Sequence, residues 1–165
     1  VTDLPALLRA LADSDVRFIV IGGMAGIAHG AARVTFDIDC VYARDAQNLS
    51  RLAATLRQFS PSLRGAPAGL PFRLDEATLR SGLNFTLDST AGPIDLLGEV
   101  AGGGTYEALL PSTAELEVFG RPCRVVTLDA LIALKRAAGR PKDLEAIAEL
   151  EALRQAHRGR RDPSL

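Results

Sequence analysis

Residues 21–39 read IGGMAGIAHGAARVTFDID, and the order of events along them decides the fold. The residues just before, Arg17 to Ile21 (RFIVI), form a short β-branched run that predicts a buried strand. It breaks at Gly22-Gly23, after which MAGIAHGAA is small, apolar and compatible with a helix. A helix of about eight residues from Met24 runs only about 12 Å, so the following loop can return the chain to the same sheet edge. Thr35 to Tyr42 (TFDIDCVY) then predicts a second strand with period-two alternation.

Asp37 and Asp39 are the most informative residues in that second strand. Residues two apart on a strand share a face, with Cα atoms roughly 6.5–7 Å apart, which turns Ile38 and Cys40 toward the core. Two like charges side by side in an apolar strand are costly unless something positive neutralises them. A divalent cation answers this, because Mg²⁺ takes hard oxygen ligands and leaves room for water and phosphate. An Asp-x-Asp alone is common and usually marks a turn or a solvated strand face. Asp95 changes the weighting. It sits in PIDLLG between Ile94 and Leu96, where a solvated acid is not expected, and a strand there beside TFDIDCVY would bring it to the same metals. Three strand-borne carboxylates suit two-metal phosphoryl-type transfer, with Asp95 helping to draw the acceptor proton. Asp88, ending a strand before a turn, reads as a turn acid.

Gly22 and Gly23 follow a strand and open a helix, a context that presents bare backbone N–H groups to a triphosphate. Close packing of helix on strand explains such glycines equally well.

Outward from this centre, Leu4, Leu7, Leu8 and Leu11 recur at helical spacing behind Asp3 and Pro5. Asp45 can cap a helix carrying Leu49, Leu52, Ala53 and Leu56. Ser60 to Pro71 is rich in Pro and Gly and predicts a loop. GLNFTLD and PIDLLG predict a hairpin around Ser89 to Pro93, AGGGT (101–105) a loop, and ELEVFGRPCRVV two strands around a Gly-Arg-Pro turn. Thr127 and Asp129 start a helix ended by Gly139, and a last helix begins at Pro141. HRGRRDPSL, with Arg158, Arg160 and Arg161, reads as a frayed tail. The expectation is a single α/β domain over 1–157, with C-terminal helices from about 127.

The 165 residues suffice for one ordinary core. A net charge of −1 argues against bulk nucleic-acid binding, which needs a large basic surplus. Cys40 and Cys123 have neither zinc nor disulfide spacing and read as buried thiols. The first residues lack a signal-peptide pattern and no stretch predicts a membrane span, so a soluble cytoplasmic protein is expected.

Taken together, these residues resemble the nucleotidyltransferase superfamily, and most nearly its bacterial branch of AbiEii-type toxins and similar proteins. The resemblance rests on Gly22, Gly23, Arg33, Thr35, Asp37 and Asp39 in the quoted stretch, and on PIDLL for the third acid, Asp95. LIALKRAAGRPKDLEAI is similar to the branch's Lys-containing helix followed by Arg-x-x-Asp, here Lys135, Arg140 and Asp143. It implies an α/β (α+β) fold, a mixed sheet flanked by helices with a short C-terminal helical appendage. It further implies Mg²⁺ held by Asp37, Asp39 and Asp95, and a nucleoside triphosphate contacted by Gly22, Gly23, Arg33, Thr35, Lys135 and Arg140. The reaction implied is nucleotidyl transfer to a hydroxyl on RNA, protein or a small molecule, with a toxin that pairs with an antitoxin as one version. A degenerate member that binds nucleotide or a partner protein without turnover is the alternative. The superfamily's commonest turn is Gly-Ser, and Gly23 stands here in place of that serine.

Other residues have ready structural explanations. Lys135 can snorkel, and Asp143 complements a helix N-terminus. Arg33 can pair with Asp37 or bind phosphate, whereas Arg140 and Lys142 at a helix start oppose the dipole unless an anion is near. His29 reads as a helix-end residue, and Gly102 to Gly104 as a flexible loop.

Overall fold

The computed structural model describes residues 2–161. The chain begins with helix α1 (Leu4–Asp13), whose first turn is capped by Asp3, the side chain accepting from the N–H of Ala6 at 3.1 Å. Strand β1 (Phe18–Ile21) is buried along its whole length. It gives way at once to α2 (Gly22–Ala28), then to β2 (Ile38–Tyr42) and α3 (Ala46–Arg57), capped by Asp45 as expected. Next come β3 (Ser62–Leu63), α4 (Glu76–Ser81), β4 (Asn84–Asp88) and β5 (Ile94–Leu97). The short strands β6 (Glu99–Val100) and β7 (Gly104–Thr105) precede α5 (Tyr106–Leu109). Strands β8 (Thr113–Val118) and β9 (Arg121–Val126) lead into α6 (Leu128–Ala138) and α7 (Pro141–Arg161).

Seven strands form one mixed sheet in the order β3-β4-β5-β2-β1-β9-β8. β1 and β2 are antiparallel neighbours, made so by the return of the chain after the short α2, while β2 and β5 run parallel. Ile19, Val20, Ile38, Cys40 and Val41 are all fully buried, so apolar side chains leave both faces of the central strands and helices must cover both. This is the expected helix-flanked mixed sheet. α2 packs on α6 and α6 on α7, which brings the C-terminal helices beside the Gly-Gly turn. Both cysteines are buried and free.

Several boundaries differ from the sequence expectations. The second strand starts at Ile38, not Thr35; residues 35–37 stay outside the ladder, and Phe36 is 76% exposed. Thr35 supplies the reason, because its hydroxyl donates to the Asp37 carbonyl at 3.2 Å and satisfies locally a group that would otherwise seek a strand partner. Within the stretch read as loop 60–71, β3 pairs with β4. The AGGGT stretch contributes β7, paired with β6. The β8–β9 turn falls on Phe119-Gly120, both at positive φ (50° and 79°), as a two-residue hairpin turn requires, and Pro122 lies within β9. α7 continues to Arg161, so residues 158–161 are helical rather than frayed, and 162–165 lie outside the described residues.

Candidate active site

The sheet register builds the acidic centre. Asp39 is paired with Asp95 across β2 and β5, and with Ile21 across β1 and β2, so the last residue before the Gly-Gly turn lies beside it. Asp37 sits one residue before β2. Each of Asp37, Asp39 and Asp95 offers a carboxylate oxygen, and these oxygens all lie within 4.8 Å of one another. Burial pushes the Asp39 carboxyl up to about 7, reinforced by the charges of Asp37 and Asp95 and opposed by Lys135. Thr35 orients one of the three, its hydroxyl lying 3.2 Å from Asp37 Oδ1.

The glycines are explained by what lies over them. Gly22 has φ +66°, a conformation side chains rarely adopt, and a Cβ there would stand 2.2 Å from Asp39 Oδ2. A Cβ on Gly23 would stand 2.9 Å from Thr35 Oγ1. A serine at 23 would therefore press against Thr35, which would have to shift to admit it.

The C-terminal helices supply the cations. Asp143 is almost wholly buried and accepts from Arg140 three times, from the backbone N–H (3.1 Å), Nε (2.8 Å) and Nη2 (3.3 Å). The backbone bond is the reach-back of a capping box at the start of α7. Lys135 Nζ stands 3.9 Å from Asp143 Oδ1. The hydrogen bonds from Arg140 hold the Asp143 carboxyl below the usual carboxylate range despite burial. Arg33 pairs with Glu149 on α7 rather than with Asp37.

Every residue predicted for the site borders one cavity of about 650 Å³: Gly22, Gly23, Arg33, Thr35, Asp37, Asp39, Asp95, Lys135 and Arg140 all line it. Lys142 and Asp143 join them, and Leu97, Val100, Leu131 and Leu134 give the cavity an apolar wall. His29 hydrogen-bonds through Nε2 to the Val126 carbonyl at 2.7 Å, at the end of α2 as read from the sequence. Gly103 is a packing glycine, where a Cβ would meet Leu134 and Val100 within 3 Å.

A lining cation, Arg64, escaped the sequence reading. Arg64 follows β3 and donates through Nε to Asp88 Oδ1 (3.1 Å) and through Nη2 to the Leu87 carbonyl (2.7 Å). The same Nη2 stands 3.0 Å from Asp95 Oδ1. That oxygen is fully buried and receives no hydrogen bond. Asp88, read as a turn acid, is thus also an anchor for Arg64.

A divalent metal fits this centre on its donor chemistry. The three converging groups are hard carboxylate oxygens, the set that suits Mg²⁺ rather than a soft-ligand metal. The three partly buried carboxylates crowd like charge together, and Arg64 beside Asp95 Oδ1 is the one cation within 4 Å of them among the described residues, which leaves negative charge that a divalent metal would balance.

Neither a protein-family model nor a curated protein matches the chain. Solved structures do. The lincosamide antibiotic adenylyltransferase LnuA, bound to lincomycin, is 15% identical with a TM-score of 0.60, the match covering 91% of this chain and 95% of that one. The antibiotic-resistance factor ANT(2″)-Ia, in complex with adenylyl-2″-tobramycin, is 19% identical with a TM-score of 0.55, covering 94% and 95%. An antigenic nucleotidyltransferase-like protein from Paracoccidioides brasiliensis is 15% identical with a TM-score of 0.54, covering 90% and 73%. The mixed sheet, its flanking helices and these likenesses together show that the chain has the nucleotidyltransferase fold.

Proposed function

We propose that this protein is an Mg²⁺-dependent nucleotidyltransferase that moves a nucleoside monophosphate from a nucleoside triphosphate to a hydroxyl on a small acceptor. The observation that carries the reading is the convergence of Asp37, Asp39 and Asp95 beside the bare Gly22 backbone, in a cavity that Lys135 and Arg140 also line. Mg²⁺, when bound, supplies positive charge for the phosphates and acidifies the acceptor hydroxyl. Asp37, Asp39 and Asp95 would hold it, with Asp37 kept in place by Thr35. Asp95 takes the hydroxyl proton, the acceptor oxygen bonds to the α-phosphorus, and the bond to the β-phosphate breaks to release pyrophosphate. Lys135 and Arg140 face the leaving group as fixed cations, held in position by Asp143. A triphosphate substrate is consistent with a cytoplasmic setting, and no helix among the described residues is long and apolar enough to cross a membrane.

A small acceptor is favoured by size. The solved chains bound to lincomycin and to adenylyl-2″-tobramycin are matched over 95% of their own length. A frame of this extent therefore accommodates such molecules without a further domain. The toxin of an antitoxin-paired system, the version the AbiEii-type resemblance implies, would use the same centre on a macromolecule. A degenerate member would bind the triphosphate and stop.

Pyrophosphate release separates these readings when each triphosphate is supplied with Mg²⁺ and, in turn, hydroxyl-rich antibiotics, bulk RNA or protein. Mass spectrometry then identifies the nucleotidylated acceptor. The expected result is a small-molecule adduct, with turnover at least about a thousandfold lower in Asp39→Asn, roughly 4 kcal/mol of barrier. An RNA or protein adduct would replace the small-acceptor reading, and triphosphate binding with no release on any acceptor would establish the degenerate one.

A further inference from the structure

Arg64 is the one cation among the described residues whose side chain lies within 4 Å of a carboxylate of the acidic triad, Nη2 standing 3.0 Å from Asp95 Oδ1. It is built into the wall rather than resting against it. Its backbone N–H donates to the Thr86 carbonyl at 3.0 Å, extending the β3–β4 pairing by one residue. Its guanidinium is held from two further directions, by Asp88 and by the Leu87 carbonyl. A side chain tied by two contacts outside the triad, on a backbone anchored to β4, resists swinging away when a ligand arrives. Lys135 and Arg140 differ, because both are paired with Asp143 and reach the triad only through space.

A fixed positive charge beside clustered acids does two things. It offsets part of their mutual repulsion when no metal is present, and it repels a divalent cation that would take the same oxygens. A triphosphate reverses the second effect, since its own negative charge compensates the extra cation locally. We infer that Arg64 is a resident counter-ion of the acidic centre, one that weakens binding of a free divalent cation and makes metal entry depend on the nucleotide. This assignment rests on the reading of the triad as a metal centre.

Metal binding tests it without any turnover. Mn²⁺, as a probe for Mg²⁺, is titrated against the full chain by electron paramagnetic resonance, with and without a nonhydrolysable triphosphate, in wild type, Arg64→Met and Arg64→Lys. Circular dichroism and melting confirm that each variant is folded. Arg64→Met should bind Mn²⁺ alone at least about tenfold more tightly than wild type, with a clearly smaller gain when the triphosphate is present. Arg64→Lys, which keeps the charge, should stay within about threefold of wild type. If Arg64→Met does not fold, Arg64→Gln, which keeps a donor for Leu87 or Asp88, is read in the same way. Equal or weaker Mn²⁺ binding by the folded neutral variant would overturn the counter-ion assignment while leaving the triad as a metal centre. Absence of Mn²⁺ binding by wild type and variant alike, at millimolar metal with and without triphosphate, would overturn both.

Discussion

Two acids that line the same cavity, Asp143 on α7 and the partly buried Asp39 on β2, behave in opposite ways. Asp143, almost wholly buried, lies among cations and backbone donors, and its carboxyl is held below the usual range. Asp39 lies among other acids, and burial with their charges pushes its carboxyl up to about 7. Burial alone therefore does not decide the protonation of a carboxylate; the partners supplied by the fold do. Asp143 is satisfied by its own chain and serves to hold Lys135 and Arg140. Asp39, with Asp37 and Asp95, has a single cation, Arg64, within 4 Å of the cluster among the described residues, so three like charges are only partly compensated by the chain. The first arrangement is a structural joint, and the second is the one that the proposed metal and nucleotide would complete.

The largest effect on the folded chain should come from breaking the satisfied side. Asp143→Ala removes a capping-box bond and the partner of two cations, and should cost about 2 kcal/mol, a fall in melting temperature of roughly 4–8 °C. Thermal melting at neutral pH checks it, and an unchanged melting temperature would mean that Asp143 is no joint.

A smaller effect, of opposite sign, should appear at the other acid. A raised folded pKa means that the native state holds its proton longer than the unfolded chain, so Asp39 favours folding below about pH 4 and this contribution is lost as pH rises toward 7. The lowered Asp143 contributes above its unfolded value of 3.8 and is lost only in stronger acid. Metal-free wild type should therefore lose stability relative to Asp39→Asn between about pH 4 and 7, and Mg²⁺ supplied together with a triphosphate should restore it. Denaturant melts across that range provide the comparison. Parallel curves for the two proteins would erase the contrast between the two acids.

The satisfied and unsatisfied sides were not equally legible in the sequence. Asp37, Asp39 and Asp95 could be read because acids inside apolar strands break a pattern, and Gly22-Gly23 because they interrupt a strand before a helix. The adjacency of the Asp95 strand to TFDIDCVY was a condition for the acids to converge; that the two strands run parallel, pairing Asp39 with Asp95, is visible only in the structure. Arg64 was hidden because β3 is two residues long and its pairing is backbone bonding, which leaves no hydrophobic period in a stretch rich in Pro and Gly. Thr35 was legible only through the resemblance. Its effect on the local chain, keeping Asp37 outside the ladder and crowding any side chain at 23, is a matter of three-dimensional contact. Asp143 was read correctly as a helix-start acid, but its hold on Lys135 depends on how α6 meets α7, which periodicity along one helix does not encode.

The central claim is that the three acids form a centre completed by a metal and a nucleotide. Its most direct test is the melting temperature of wild type and Asp39→Asn with each nucleoside triphosphate, with and without Mg²⁺. Stabilisation of wild type that requires both Mg²⁺ and a triphosphate, and is lost in a folded Asp39→Asn, is the expected result. No stabilisation of wild type by any triphosphate at millimolar concentration, or equal stabilisation of the two proteins, would contradict it.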